Sequence, residues 1–187
     1  DFARLWKKQG YDYTGLEANN TMADRLRQEG FTIREGFAPP LPDNGPYDVI
    51  FMNQVYEHMA DRSMALNLIE ECYHKLTPDG ILIIASPEIR AWGVDFFAGD
   101  YTHNWPTSLY NTEQIIFDYD FSVRHKTLSS LMFRGFILPY LVSYATHFVY
   151  AIGLLGLLFG KKAYKIKTIL LPSFVIICQK PSDPASS

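Results

Sequence analysis

This sequence of 187 residues has little cysteine and no excess of positive charge. The two cysteines, Cys72 and Cys178, lie far apart and match no spacing of metal ligands. This excludes a disulfide-rich scaffold and predicts two reduced core thiols in a cytoplasmic protein, with no metal site. The net charge is −3. The basic stripe of a DNA- or RNA-binding surface is therefore missing, and we predict no nucleic-acid partner.

The start of the sequence lacks both a signal-peptide pattern and a methionine. Residues 1–6 instead have the pattern of the middle of a helix, with Phe2, Leu5 and Trp6 at helical spacing. We therefore expect a further segment upstream of Asp1.

Two apolar runs predict the type of sheet. Residues 47–52 and 81–85 are almost entirely apolar, which is typical of strands buried on both faces of a parallel sheet. Helix-like segments with short connections separate these and other strand-like segments. The pattern therefore predicts an α/β fold with a doubly wound, mostly parallel sheet. An α+β domain with an antiparallel sheet is the alternative, but its strands should alternate in polarity.

Start and stop residues place the helices. Gly10 and Gly30 are expected to end the first two helices, and Asn20 and Asp61 to cap the second and third. A capping-box pattern at residues 111–114 predicts a helix through Tyr119. One stripe of the third helix is expected to face the core: Met64, Leu68, Cys72 and Leu76. The remaining strands are predicted at residues 13–16, 31–34, 122–128 and 173–179.

An apolar segment separates the last two predicted strands. Residues 135–160 contain no charged side chain, and the run 136–159 is long enough to span a bilayer. A complete crossing would place the last strand on the wrong side of the membrane. We therefore expect residues 132–165 to form an apolar helical insert that covers a binding pocket or rests on a membrane surface. A spanning helix and ordinary core packing are the alternatives.

The predicted organisation is a single domain, residues 1–180, that includes this insert. The polar residues 181–187 are expected to form a disordered tail.

Four groups of residues follow one another in an informative order. They are Gly15-Leu16-Glu17, Tyr47-Asp48-Val49-Ile50 with Val55-Tyr56-Glu57-His58, Leu76-Thr77-Pro78-Asp79-Gly80-Ile81-Leu82, and Asp100-Tyr101-Thr102-His103. Together they resemble the class I S-adenosylmethionine-dependent methyltransferases, in their small-molecule branch. The groups match that family's acidic end of the second strand, its LEH turn after the fourth strand, its L-x-P-G-G turn into the fifth, and its acceptor-side loop. The resemblance covers residues 2–128, and the last predicted strand is similar to the family's antiparallel seventh strand.

The resemblance implies a Rossmann-like fold with an antiparallel last strand and S-adenosylmethionine as the cofactor. It also implies that the fold is N-terminally truncated, because the family's first strand and Gly-rich loop would precede Asp1. In the family that strand lies between the second and the fourth, so a chain without it would leave strand edges unpaired inside the sheet.

Glu17 is the principal predicted cofactor contact. At the carboxyl end of a strand, beside a switch point in strand order, a carboxylate can accept hydrogen bonds from both ribose hydroxyls of a nucleoside. A solvated loop acid is the alternative. The other predicted cofactor contacts are Ala18, Phe37, Ala38, Asn53 and Gln54. For the last four a structural loop role is an equally good interpretation, and Phe37 stands where the family often has Asp.

His58, His103 and Tyr101 are the predicted catalytic residues. An unperturbed histidine titrates near neutral pH, which suits removal of a proton from an attacking hydroxyl or amine. His103 has Tyr101 and Asn104 close by in the sequence, a mixture suited to a polar acceptor. Hydrogen bonding within its own turn is the alternative for His58.

The leading interpretation is an enzyme that transfers a methyl group from S-adenosylmethionine to a small-molecule, glycan or lipid-linked acceptor. We expect it to be cytoplasmic, with peripheral membrane contact through residues 136–159. A catalytically silent binding or membrane-attachment module with the same fold is the alternative from another class. A nicotinamide dehydrogenase is a third interpretation, since Glu17 would serve a ribose there too, but the Pro78-Asp79-Gly80 turn and the last strand favour the methyltransferase.

Overall fold

A computed structural model of the chain describes residues 2–43, 45–130 and 133–182. The chain divides into two compact units, Asp1–Gly45 and Pro46–Ser187. Of the predicted disordered tail, residues 183–187 lie outside the described residues, as does residue 132 at the start of the predicted insert.

The first unit is a small α/β element with two parallel strands among its described residues. Its elements are α1 (Phe2–Lys8), β1 (Thr14–Glu17), α2 (Asn20–Gln28) and β2 (Thr32–Glu35). The register places Glu17 opposite Glu35, so the carboxyl ends of the two strands lie side by side. Ala23, Phe31 and Ile33 form the buried core of this unit.

The second unit carries a mixed sheet whose described strands run in the order β3-β4-β6-β5. These strands are β3 (Tyr47–Asn53), β4 (Leu76–Pro87), β5 (Ser122–Ser129) and β6 (Ser173–Gln179). β3 and β4 are parallel, whereas β6 is antiparallel to both of its neighbours. The predicted α/β fold, with parallel pairs and an antiparallel last strand, is confirmed.

Burial in the second sheet alternates along β6 and along parts of β3 and β4. Met52 in β3, Ile84 in β4 and Ile176 in β6 are buried, whereas their neighbours Phe51 and Ile83 are half-buried. Successive side chains of a strand point to opposite faces, so one face of this sheet is buried more deeply than the other. The two apolar runs are therefore strands, as predicted, but not with equal burial on their two faces.

Seven helices lie among the described residues of the second unit. They are α3 (Arg62–Lys75), α4 (Ile89–Trp92), α5 (Asp95–Ala98), α6 (Leu109–Asp118), α7 (Ile137–Ala151), α8 (Leu154–Phe159) and α9 (Ala163–Leu170). Asp61 caps α3 as predicted, because its Oδ1 accepts a hydrogen bond from the Met64 backbone N–H at 2.9 Å. Met64 itself is exposed rather than in the core, and Leu76, predicted on the same helical stripe, is the first residue of β4.

Two predicted helix starts are wrong by a few residues. Asn19 rather than Asn20 caps α2, because Asn19 has extended backbone and its side chain accepts from the Met22 N–H. Ser108 rather than Asn111 caps α6, and Asn111 closes the capping box from the third helical position. In both cases a neighbouring polar residue of similar capping ability occupies the non-helical position.

The helices α7, α8 and α9 lie between β5 and β6 and form the apolar insert. The Ser143 hydroxyl and His147 Nε2 of α7 both donate to the carbonyl oxygen of Ala91 in α4, at 2.6 and 2.9 Å. In addition, the buried Lys167 of α9 forms an ion pair with the buried Asp95 of α5, with 2.5 Å between Nζ and Oδ2. The insert is therefore attached to the segment that follows the carboxyl end of β4.

Among the described residues, no single helix has both the length and the apolar character that a membrane crossing requires. One bent pair, Ile137–Ala151 with Leu154–Leu170, meets those criteria when its members are combined, and the angle between them is 78°.

The ion pair between Asp95 and Lys167 generates a stability prediction. Lys167→Met leaves a buried carboxylate without its cation, and loss of one partner of a buried pair costs about 3–5 kcal/mol. We expect the free energy of unfolding to fall by about that amount in urea denaturation followed by circular dichroism. The matched control is Lys126→Met, which breaks the more exposed pair with Glu113 and should cost less than about 1 kcal/mol. Equal losses in the two variants would contradict the prediction.

Candidate functional site

Glu17 in the first unit lies at the carboxyl end of β1, where the strand turns into α2. Its Oε1 accepts a hydrogen bond from the Asn19 backbone N–H at 2.9 Å. Its backbone oxygen accepts from the Gly36 N–H at 3.1 Å. Within the described residues Oε2 makes no hydrogen bond. The carboxylate is thus held in place by one oxygen while the other can accept from a ligand.

A cavity of about 670 Å³ lies beside the same strand ends. Leu16 of β1, Glu35 of β2 and the following Gly36 and Phe37 are among its lining residues. The Phe37 side chain is 77% exposed, so an apolar ring is available to a ligand there. Ala18 is exposed and Ala38 is half-buried, and for both residues the role of cofactor contact stays a prediction.

Asn53 and Gln54 lie at the carboxyl end of β3 in the second unit. Asn53 is exposed and pairs with Ala85 in the ladder, and the Gln54 N–H donates to the Ala85 carbonyl oxygen at 2.8 Å. Gln54 has φ of 55°, a left-handed conformation that is uncommon for residues other than glycine. Strain of this kind concentrates at ligand-binding sites, which favours the predicted role of this turn.

Glu57 is buried in the 3₁₀ turn Tyr56–His58, which begins two residues after Gln54. Its backbone oxygen accepts from the N–H groups of Asn104 and Trp105, at 3.1 Å each. Its side-chain Oε2 accepts from the Ser86 hydroxyl at 2.8 Å, while the buried Oε1 has no hydrogen-bond partner. Burial raises the pKa of Glu57, against the lowering effect of the Ser86 hydrogen bond.

His58 and His103 meet beside Glu57. Their ring centroids are 4.9 Å apart in an edge-on arrangement. His103 Nδ1 lies 2.7 Å from the carbonyl oxygen of Phe96, and a carbonyl has no hydrogen to donate, so Nδ1 carries the proton. His58 Nδ1 lies 3.2 Å from the carbonyl oxygen of Thr102, so by the same argument this nitrogen also carries the proton. In each neutral ring the lone pair is therefore on Nε2.

The loop before His103 supports this arrangement. Thr102 donates its hydroxyl hydrogen to Asp100 Oδ1 at 2.6 Å, so the same hydroxyl can only accept from His58 Nδ1, 3.0 Å away. The hydrogen bonds from Thr102 lower the pKa of Asp100 and keep it ionised. Tyr101, the third predicted catalytic residue, is in the same loop but its side chain is 91% exposed.

The structure thus brings Glu57, His58 and His103 together. One carboxylate oxygen of Glu57 and one ring nitrogen of each histidine all lie within 4.8 Å of one another. The sequence analysis named both histidines but neither paired them nor included Glu57. The adjacency of Glu57 to His58 in the LEH-like turn was the available signal, whereas His103 is too distant in sequence for a spacing rule to connect it.

Comparison with protein families identifies a match over residues 1–126, to a family described as a methyltransferase domain. Comparison with curated protein sequences finds no match.

Three solved structures with the same fold have names that state an activity. A SAM-dependent methyltransferase from Archaeoglobus fulgidus is 19% identical, with a TM-score of 0.59 over 96% of this chain and 80% of that chain. N-methyltransferase NodS from Bradyrhizobium japonicum WM9, in complex with S-adenosyl-L-homocysteine, is 11% identical, with a TM-score of 0.57 over 90% and 66%. The [4+2]-cyclase SpnF is 16% identical, with a TM-score of 0.60 over 97% and 70%. At these identities the similarity shows the fold.

The hydrogen bond between Ser86 and Glu57 generates a prediction about this site. Ser86→Ala removes this hydroxyl, so that neither side-chain oxygen of the buried Glu57 accepts a hydrogen bond from it. Loss of such a donor costs about 1–3 kcal/mol of the free energy of unfolding. We expect the urea midpoint of unfolding to fall accordingly. Ser122→Ala removes the exposed hydroxyl that donates to the Gln179 carbonyl oxygen and should change stability by about 0.5 kcal/mol or less. A Ser86→Ala protein as stable as this control would show that the carboxyl does not depend on that donor.

Proposed function

The chain belongs to the methyltransferase domain family, and on that basis we propose that it transfers a methyl group from S-adenosylmethionine to a small-molecule, glycan or lipid-linked acceptor at a membrane surface. The observation that carries the cofactor assignment is the Glu17 carboxylate at the carboxyl end of β1, fixed through Oε1 and open through Oε2. Ligands of open α/β sheets bind at this end of the strands.

The residues of the first unit fit the nucleoside half of this cofactor. The two ribose hydroxyls can both donate hydrogen bonds to one group if that group only accepts them, as an ionised carboxylate does. The adjoining cavity presents the exposed Phe37 ring, which suits contact with a purine. Within the second unit we propose Asn53 and the strained Gln54 as further cofactor contacts.

S-adenosylmethionine supplies a methyl group that is already activated by the positive sulfur. The protein therefore contributes mainly proximity, alignment and exclusion of water. Glu17 would hold and orient the cofactor, and we propose His58 and His103 as the residues that bind the acceptor. An acceptor hydroxyl or amine would pass its proton to Nε2 of one of these rings when that nitrogen is not bound to another group.

The apolar insert supports a membrane surface as the place of reaction. Large apolar side chains are exposed along it: Phe136, Ile137, Leu138, Leu141, Tyr144, Phe148, Ile152, Leu154, Leu157, Leu158, Phe159 and Ile169. Exposed lysines at positions 161, 162 and 165 follow α8, and such residues favour anionic headgroups. An exposed apolar surface of this extent is typical of an interaction site, and helices that lie in the interface have this composition. We therefore propose peripheral binding on the cytoplasmic face.

A catalytically silent module is the second candidate function. SpnF has the same fold and is named as a [4+2]-cyclase, so the fold alone does not determine the reaction. Binding of the cofactor and transfer of its methyl group therefore need separate measurements.

Glu17→Ala tests the cofactor assignment. Hydrogen bonds to a charged group contribute about 1.5–3 kcal/mol each, so we expect the Kd for S-adenosylhomocysteine to rise about 10- to 100-fold in calorimetry. The matched control is Asp24→Ala, which removes an exposed carboxylate on α2 that pairs with Arg27. Unchanged affinity in Glu17→Ala would remove Glu17 from the site. Cofactor binding without methyl transfer to any of the three acceptor classes would favour the silent module.

Flotation with vesicles that contain anionic phospholipid tests the membrane proposal. The wild-type chain should float with the vesicles, and Phe148→Glu combined with Leu157→Glu should remain at the bottom, because charge opposes insertion of an apolar face. Both side chains are exposed, so the fold should tolerate the changes. Phe117→Glu alters an equally exposed ring on α6, outside the insert, and should float like wild type. A wild-type chain that stays at the bottom would contradict the proposal.

A further inference from the structure

Glu57, His58 and His103 have the arrangement of a ligand set rather than of a hydrogen-bonded cluster. His103 donates its Nδ1 hydrogen to the carbonyl oxygen of Phe96, and His58 shares its Nδ1 hydrogen between the carbonyl oxygen and the hydroxyl of Thr102. This leaves Nε2 of each ring as a lone pair with no hydrogen bond within the described residues. Histidines that bind metals have this feature, since a partner on the second ring nitrogen sets the tautomer and the ring orientation.

The carboxylate supplies an independent observation. Glu57 is fully buried, and its Oε1 has no hydrogen-bond partner although Oε2 accepts from Ser86. A buried carboxylate oxygen without a donor is costly, and buried charges are normally paired or coordinate a metal.

We propose that Glu57, His58 and His103 bind a divalent transition-metal ion, with zinc as the best match. Two imidazole nitrogens and one carboxylate form a known zinc donor set, whereas magnesium and calcium prefer oxygen ligands alone. One carboxylate oxygen of Glu57 and one ring nitrogen of each histidine lie within 4.8 Å of one another. Ligand atoms of a tetrahedral zinc site are about 3.4 Å apart, so small side-chain rotations would bring these atoms to binding distance.

The surroundings fit this role. Thr102 bridges His58 and the ionised Asp100, and Asp100 Oδ2 lies 3.8 Å from His103 Nε2, too far for a hydrogen bond. The negative charge of Asp100 favours a cation beside it. His58 is half-buried, which leaves a path for an ion to enter. Three protein ligands also leave a coordination position for water or for an oxygen of a substrate.

The test measures metal binding without cofactor or acceptor, so its result is separate from that of the proposed function. The full chain is stripped of metal with a chelator and titrated with Zn²⁺ by calorimetry and with Co²⁺ by visible absorption. We expect one equivalent to bind and tetrahedral Co²⁺ bands to appear. His58→Asn and Glu57→Gln should weaken binding by more than about 100-fold, because loss of a supporting residue alone costs about 10–100-fold.

Two further variants make the result interpretable. Thr102→Val keeps the side-chain volume in a half-buried loop but removes the hydroxyl that accepts from His58, and should weaken Zn²⁺ binding about 10–100-fold in a folded protein. His74→Asn removes an exposed histidine on α3 and should bind as wild type does. Absence of a saturable equivalent in wild type, unchanged affinity in His58→Asn and Thr102→Val, or equal loss in His74→Asn would each overturn the proposal.

Discussion

The turn that contains Glu57 is the constraint on which the second unit depends. The Glu57 backbone oxygen accepts hydrogen bonds from the Asn104 and Trp105 N–H groups, and its carboxylate accepts one from the Ser86 hydroxyl near the end of β4. One residue thus fastens the end of β3, the end of β4 and the loop that carries His103. A buried carboxylate is tolerated only where such partners compensate its desolvation. The positions of both histidines follow from this attachment.

A second buried charge organises the apolar insert. The ion pair between Asp95 and Lys167, with the Ser143 and His147 contacts to Ala91, attaches α7 and α9 to the segment after β4. These polar contacts orient the insert without using its apolar side chains. Many of its large apolar residues remain exposed. This division explains how an apolar insert can belong to a folded α/β unit and still expose much of its apolar surface.

Local sequence signals predicted most of the fold. They failed where two nearby residues could both cap the same helix. β6 begins and ends as predicted, because the apolar run Phe174 to Cys178 is bounded by the polar residues Ser173 and Gln179. The caps of α2 and α6 were misplaced, because Asn19 and Asn20, like Ser108 and Asn111, have similar capping ability. Only the backbone conformation decides which of them lies outside the helix. The site residue Glu57 was missed because a carboxyl in a turn is usually solvated.

The sequence by itself determined the strands, most of the longer helices, their α/β order and the position of Glu17 at a strand end. It could do so because strands, caps and turns depend on neighbours within a few residues. The tertiary structure alone decided that Glu57, His58 and His103 meet, since His103 lies on a different loop. It also decided which ring nitrogen keeps its lone pair, because the carbonyl oxygens of Thr102 and Phe96 are brought to Nδ1 only by folding. Contacts between residues distant in sequence follow from packing, which no local pattern encodes.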